Sequence, residues 1–166
     1  MTQRDLLITW LNDAYGMELG IAEVLERHAA SAADHPHVQA GLEQHLEQTR
    51  QHAELVKGCV ERLGGETSAV KSGMASLGGA MQGMMAKLAS DELIKNALQD
   101  YGTEHFEIAC YTSLRTAATA IGDEETARVA ERILQDEMRM AEQLLKLIPS
   151  ITNEMMVTQG ESVGAR

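Results

Sequence analysis

Apolar residues recur three or four positions apart along most of the chain, the period of a helix with one buried face. Leu7, Leu11, Ala14, Ala22 and Leu25 form the first such stripe, with one acid, Glu18, lying in it. Thr2 followed by Asp5 makes a capping box with Asp in the usual place of Glu, so a first helix is expected over about 3 to 31. After a short connection, Pro36 suits the first turn of a second helix. Its face reads Val38, Leu42, Leu46, Ala53, Val56 and Val60, and Gly64 and Gly65 end it. Ser90, Asp91 and Glu92 start a third helix through Ile94, Leu98, Tyr101, Ile108 and Leu114 as far as Gly122. Asp123 caps a fourth, with Val129, Ile133, Leu134, Leu144 and Ile148 on one face and a stop at Pro149.

Short links between the first and second helices, and between the third and fourth, force antiparallel neighbours. The stretch from Glu66 to Ala89 must instead run the length of the bundle. Met74, Leu77, Met81, Met84, Met85 and Leu88 recur in it at helical spacing, which predicts a short amphipathic helix laid on the bundle. The polar end from about Thr158 to Arg166 is expected to fray. The fold class is therefore all-α: one domain over residues 1–166, an antiparallel four-helix bundle over 3–148 with a long crossover, and a C-terminal extension over 149–166.

Composition supports this and narrows the function. Aromatic residues make up 3% of the chain, and good helix formers leave little material for a sheet. With 14 basic against 25 acidic residues the net charge is −11, which argues against nucleic acid as a partner. Cys59 and Cys110 lack the paired spacing of a zinc site and read as buried free thiols of a reducing compartment. The apolar run from Leu6 to Leu11 is too short for a membrane span or a signal segment, so a cytoplasmic location without membrane contact is expected.

An internal repeat carries the chemistry. Tyr15-Gly16-Met17-Glu18 in the first helix matches Tyr101-Gly102-Thr103-Glu104 in the third. The nine residues from Leu46 to Glu54 align without gaps to those from Leu134 to Glu142, sharing the Leu and the closing Ala-Glu. Two helical hairpins related by an approximate two-fold axis follow from this. That is the skeleton of di-metal carboxylate bundles, where two helices each give a Glu and two each give a Glu-x-x-His pair. Residues three apart share a helix face, so both can reach an ion between helices. Here each pair is broken: Thr49 with His52 keeps the imidazole, and Glu137 with Met140 keeps the carboxylate.

Glu107, one turn from Glu104, and His45, one turn before Thr49, are available as replacements. Buried ionised carboxylates are costly unless paired or bound to a cation, so Glu18, Glu104 and Glu137 on apolar stripes point to a metal. His45 and His52 stand evenly between ligand and hydrogen-bonded core histidine. His105 faces about 100° away from Glu104 and is expected to support the ligands from behind or to lie between helices rather than to bind an ion itself. His28, His35 and His37 read as solvated surface. Tyr15 and Tyr101 are expected either to donate hydrogen bonds to the carboxylates or to pack in the core.

At the Tyr-Gly-x-Glu of the first helix, the His45-Leu-Glu-x-Thr49 of the second and the Glu104-His-Phe-Glu107-Ile-Ala-x-Tyr111 of the third, the sequence resembles the YciF-like (YciE/YciF) ferritin-like family of bacterial stress-associated proteins. The resemblance covers roughly residues 3 to 148. It implies a ferritin-like bundle with a rubrerythrin-like third helix carrying two Glu three apart, a homodimer, and induction under stress. It also implies metal-ligand positions at Glu18, Glu104, Glu107 and Glu137, with His45 the histidine of the second helix. Ala141 stands where the family pattern has an acidic residue.

Two functions remain open at this level. One is a di-iron or di-manganese protein reacting with oxygen or peroxide, in which Glu104 or Glu107 bridges, Glu18 and Glu137 each hold one ion, and His45 or His52 completes the set. The other is a non-catalytic, stress-associated oligomer with a partial metal site. Iron storage is weaker, since it needs a shell assembly that nothing in the sequence reveals.

Overall fold

The computed structural model describes residues 1–67 and 92–164, with side chains as far as residue 157. Four helices build it: α1 (Gln3–Ser31), α2 (Pro36–Arg62), α3 (Glu92–Ala120) and α4 (Glu124–Gly164). The expected short helix of the crossover, and the Ser90-Asp91 start of α3, lie outside the described residues.

The helix ends follow local chemistry. The Thr2 side chain accepts from the Asp5 backbone while the Asp5 carboxylate accepts from Thr2, completing the capping box of α1. Pro36 occupies the first turn of α2. Gly64 and Gly122 both have φ of +76°, the left-handed conformation that lets a helix end and the chain turn at little cost. After Gly122 the Asp123 amide donates back to the Ala118 carbonyl at 2.9 Å. The Asp123 carboxylate then receives the Thr126 amide and both anchors and is anchored by Arg62 at 2.6 Å, tying the start of α4 to the end of α2.

Two hairpins result, α1 with α2 and α3 with α4, packed so that α1 lies against α3 and α2 against α4. The partners run antiparallel: His28 of α1 meets Asp100 of α3 while Glu18 meets Tyr111, and His35 at the N-cap of α2 meets Glu154 of α4 while His52 meets Asp136. The core is a single cluster that includes Leu7, Leu11, Leu25, Val56, Val60, Leu114, Ala118 and Ile133. This is the all-α, ferritin-like four-helix architecture.

Two expectations need correction. The fourth helix does not stop at Pro149, and the expected frayed end is helical to Gly164. An interior proline removes one backbone hydrogen bond and costs about 3 kcal/mol. Burial of Ile151 beyond it, and the contact of Glu154 with His35 at 3.0 Å, hold the continuing turns to the bundle. The second correction concerns α3. Leu98, assigned to the core stripe, is 47% exposed. The buried face instead runs through Ala97, Asp100, Glu104, Glu107, Tyr111, Leu114 and Ala118, an alternation of three and four residues with acids at its centre. An apolar stripe sought by hydrophobicity is displaced sideways when the core face itself is acidic.

That distinction predicts unequal effects of truncation. Ile133→Ala should lower the unfolding free energy by about 2–5 kcal/mol, as expected for a fully buried aliphatic residue. Leu98→Ala should cost well under half as much, roughly 1 kcal/mol or less. Urea midpoints of the two variants give the comparison, and equal losses would contradict the assigned face of α3.

Candidate metal centre

Midway along the bundle all four helices send ionisable side chains inward. Glu18 comes from α1, His45 and His52 from α2, Glu104 and Glu107 from α3, and Glu137 from α4, and every one is buried. The repeat explains the pattern. Glu18 and Glu104 occupy matched positions on α1 and α3, and Glu137 is the carboxylate of the half-motif on α4. Thr49, its counterpart on α2, is buried in the same layer, whereas Met140, the counterpart of His52, is only half-buried.

Two sets of donor atoms converge. Glu18, His52 and Glu137 each offer an atom within 4.8 Å of the others, and so do His45, Glu104 and Glu137. Glu137 is common to both. Glu107 belongs to neither set, though it is fully buried and its carboxyl lies within electrostatic reach of Glu18, Glu137 and Glu104.

The close contacts are not ordinary hydrogen bonds. His52 Nδ1 stands 2.8 Å from Glu137 Oε1, and His45 Nε2 stands 3.2 Å from Glu104 Oε1. Yet His52 Nδ1, both nitrogens of His45, both oxygens of Glu104 and Glu18 Oε2 are buried with no hydrogen-bond partner. Leaving a buried polar atom unpaired costs about 1–3 kcal/mol, more if it is charged. Donor atoms bound at about 2.1 Å and at right angles around one cation stand about 3 Å apart, close to these separations. The nitrogen and oxygen donors suit iron, manganese or zinc better than a soft ion. The residues present therefore fit a cation, which would satisfy these unpaired atoms together.

Surrounding groups fix the orientation. Tyr111, fully buried on α3, donates a short hydrogen bond to Glu18 Oε1 and leaves Oε2 free. His52 Nε2 lies 3.3 Å from Asp136 Oδ2. The ring is thus flanked by a carboxylate at each nitrogen, and a cation bound at Nδ1 would leave the Nε2 proton to Asp136, whose carboxylate only accepts. Arg139 in turn holds the Asp136 carboxylate from the surface.

Proton affinities follow from crowding. Burial, then repulsion by Glu137, pushes Glu18 up to about 8, against the pull of His52 and the Tyr111 hydrogen bond. Burial and the Glu137 carboxylate push Glu104 up to about 11. Glu107 rises well above the usual carboxylate range from burial and the charges of Glu18, Glu137 and Glu104. Burial lowers His45. For His52 burial also acts downward, but Glu137, Glu18 and Asp136 outweigh it and raise the ring. Without a cation, then, Glu18, Glu104 and Glu107 hold protons instead of negative charge.

Several expectations fall differently. His28 is not solvated: it is 8% exposed and bonded to Asp100. His35 is half-buried beside Glu154, whereas His37 is exposed as expected. Tyr15 and Tyr101 are half-buried, and Tyr111 supplies the carboxylate hydrogen bond. Tyr101 packs edge-on against the exposed His105, with ring centroids 4.6 Å apart. Cys59 is a buried free thiol, while Cys110 is only partly covered. Asp136 was missed altogether, although its place beside Glu137 on the matched segment was a usable signal. Among the described residues no helix is long and apolar enough to cross a membrane.

Comparison with known proteins bears on the fold and the family. The profile of a family described as a domain of unknown function, DUF892, matches residues 2–157. A protein of Xanthomonas campestris is 32% identical, with a TM-score of 0.83, over 96% of this chain and 99% of its own. The E. coli stress protein YciF is 23% identical, with a TM-score of 0.76, over 92% of this chain and 98% of its own. The Desulfovibrio desulfuricans bacterioferritin, described with a diiron site, is 21% identical, with a TM-score of 0.78, over 96% of this chain and 87% of its own.

A pH dependence follows. Carboxyls whose folded-state values are raised hold protons that the unfolded chain has given up, so their contribution to stability is lost as pH rises. His45, lowered from 6.5, acts oppositely but only below that value. Between 6.5 and the value of about 8 for Glu18 the carboxyls dominate, and His52 acts in the same direction. The thermal midpoint of metal-free protein should therefore fall across that window, with a loss on the order of 1–2 kcal/mol from Glu18. Saturating manganous ion should raise the midpoint and flatten the slope; a rising midpoint in metal-free protein would contradict the protonated cluster.

Proposed function

This chain belongs to the DUF892 family, and from that premise we propose that it is a di-metal carboxylate protein of the bacterial stress response, holding two iron or manganese ions and reacting with oxygen or peroxide. The observation that carries the reading is the pair of donor sets sharing Glu137, with their buried atoms unpaired. Glu18 and His52 would hold one ion, His45 and Glu104 the other, and Glu137 both. Glu107, close by and fully buried, is a further carboxylate for either ion. On this reading Glu137 would serve both ions, the part expected of Glu104 or Glu107 from sequence.

Iron or manganese there would supply electrons to a small oxidant. The chain's own residues do the rest. Tyr111 and Asp136 orient Glu18 and His52, so the donor atoms are aimed before any ion arrives. The surrounding core, from Leu11 and Met17 to Val56 and Ile133, excludes water. Glu18, Glu104 and Glu107 give up protons when a cation takes their place and accept them when it leaves. Support for a homodimer and a cytoplasmic location comes from the family resemblance and the thiol content.

The non-catalytic reading keeps one specific observation in its favour: Thr49 and Met140 leave each half of the repeat with one ligand of its pair. Metal analysis on protein purified under gentle conditions separates the two, followed by ferrous oxidation and peroxide turnover with Glu104→Ala as control. The proposal expects about two ions per chain, loss of both in Glu137→Ala, and loss of one in His45→Ala. Turnover should fall with Glu104→Ala. Substoichiometric metal without turnover supports the non-catalytic oligomer instead.

A further inference from the structure

We propose that the buried pair Asp100 and His28 is a proton relay joining the carboxylate–histidine centre to solvent at the end of the bundle where α1 turns into α2. This rests on the metal-site reading above.

The interior is lopsided on either side of the centre. Toward the start of α1 the core is Leu7, Leu11, Val56, Val60, Leu114 and Ala118, an apolar plug with no acid or base among these side chains. Toward the end of α1 the buried set instead includes Asp100, His28, Gln99 and Lys95. Protons do not cross an apolar plug, because each transfer needs a donor and an acceptor in hydrogen-bond reach. Along the bundle axis, chemistry at the centre that takes up or gives off protons therefore has a polar way out on that side, separate from the lateral His52–Asp136 contact that Arg139 closes at the surface.

The pair is built for the task. His28 Nδ1 lies 2.8 Å from one Asp100 oxygen and 3.1 Å from the other, so the two groups share a proton position. Asp100 is one turn before Glu104 on the same buried face of α3, about 6 Å along the axis. It lies close enough to act electrostatically on both Glu104 and His45. His28, in the last turn of α1, is the member that begins to reach solvent. Outward transfer begins with the His28 ring in its Nε2–H form. A proton crosses from Glu104 to Asp100 by way of a bridging water and passes to His28 Nδ1 as the Nε2 proton leaves to water. The ring regains its Nε2–H form by proton exchange with water before the next transfer. Only oxygen–hydrogen and nitrogen–hydrogen bonds change, and no electron moves.

Two other roles are weaker. A cation station needs more than two ligating residues and would have to tolerate Lys95; among the described residues, three-ligand groups occur only at the centre. A purely structural clasp between α1 and α3 is a poor reason to bury these groups, since apolar replacements of similar volume are often as stable. The ionisable groups shown to feel Asp100 are Glu104 on α3 and His45 on α2, and buried Lys95 lies five residues before it on α3.

The test mixes metal-free protein with manganous ion in weakly buffered indicator solution and follows proton release by stopped flow. His28→Leu and Asp100→Asn should bind the same number of ions as the parent but release protons about ten-fold more slowly or worse. Added imidazole should restore the rate of His28→Leu, which a structural clasp would not allow. Full binding with unchanged release rates overturns the relay while leaving the metal site intact. Failure of the parent protein to bind manganese overturns the metal-site reading and the relay with it. Should both variants lose helicity, the parent protein in heavy water decides: a slowing of about two-fold or more supports the relay, and no slowing overturns it.

Discussion

Everything in this bundle is organised around carboxyl groups placed where water cannot reach them. Ionised carboxylates in a closed core repel one another and lose their hydration, and each is tolerable only as a neutral acid or beside a cation. The convergence of Glu18, Glu104 and Glu137, with His45 and His52 between them, sets both states available to the protein. One is metal-free and protonated; the other, on the proposed reading, would be metal-bound and ionised. The long helices, their caps and their antiparallel pairing serve to bring these residues to one level.

The departure from two-fold symmetry gives the centre its particular form. Thr49 removes a carboxylate from α2 and Met140 removes an imidazole from α4, while His45 adds a second imidazole to α2. Both histidines therefore come from one helix, seven residues apart, and Glu137 is left as the single carboxylate of α4 common to both donor sets. Tyr111 and Asp136 reinforce two of the four groups that remain from the repeat, Glu18 and His52. The interior is asymmetric as well, apolar toward one end of the bundle and polar through Asp100 and His28 toward the other.

Much of this was legible in the sequence because helix period and repeat are local or nearly local signals. Glu18, His45, His52, Glu104, Glu107 and Glu137 could be singled out from spacing, matched halves and family likeness, and all six are buried together. What escaped depends on partners distant in sequence. His28 looks like surface because its neighbours are small and polar, yet it is buried by Asp100, 72 residues away. Tyr111 lies in the quoted string of α3, but its tie to Glu18 spans 93 residues. Leu98 misled because the true core face of α3 is acidic, so hydrophobicity pointed to the flank. Pro149 misled because a local rule was outweighed by the packing of Ile151.

Crystals of the protein soaked in manganous ion, with anomalous diffraction recorded, test the central claim most directly. Two peaks are predicted in the bundle interior, one bonded to Glu18, His52 and Glu137 and the other to His45, Glu104 and Glu137. Peaks confined to the surface, in crystals whose interior carboxyls remain unbound, would contradict it.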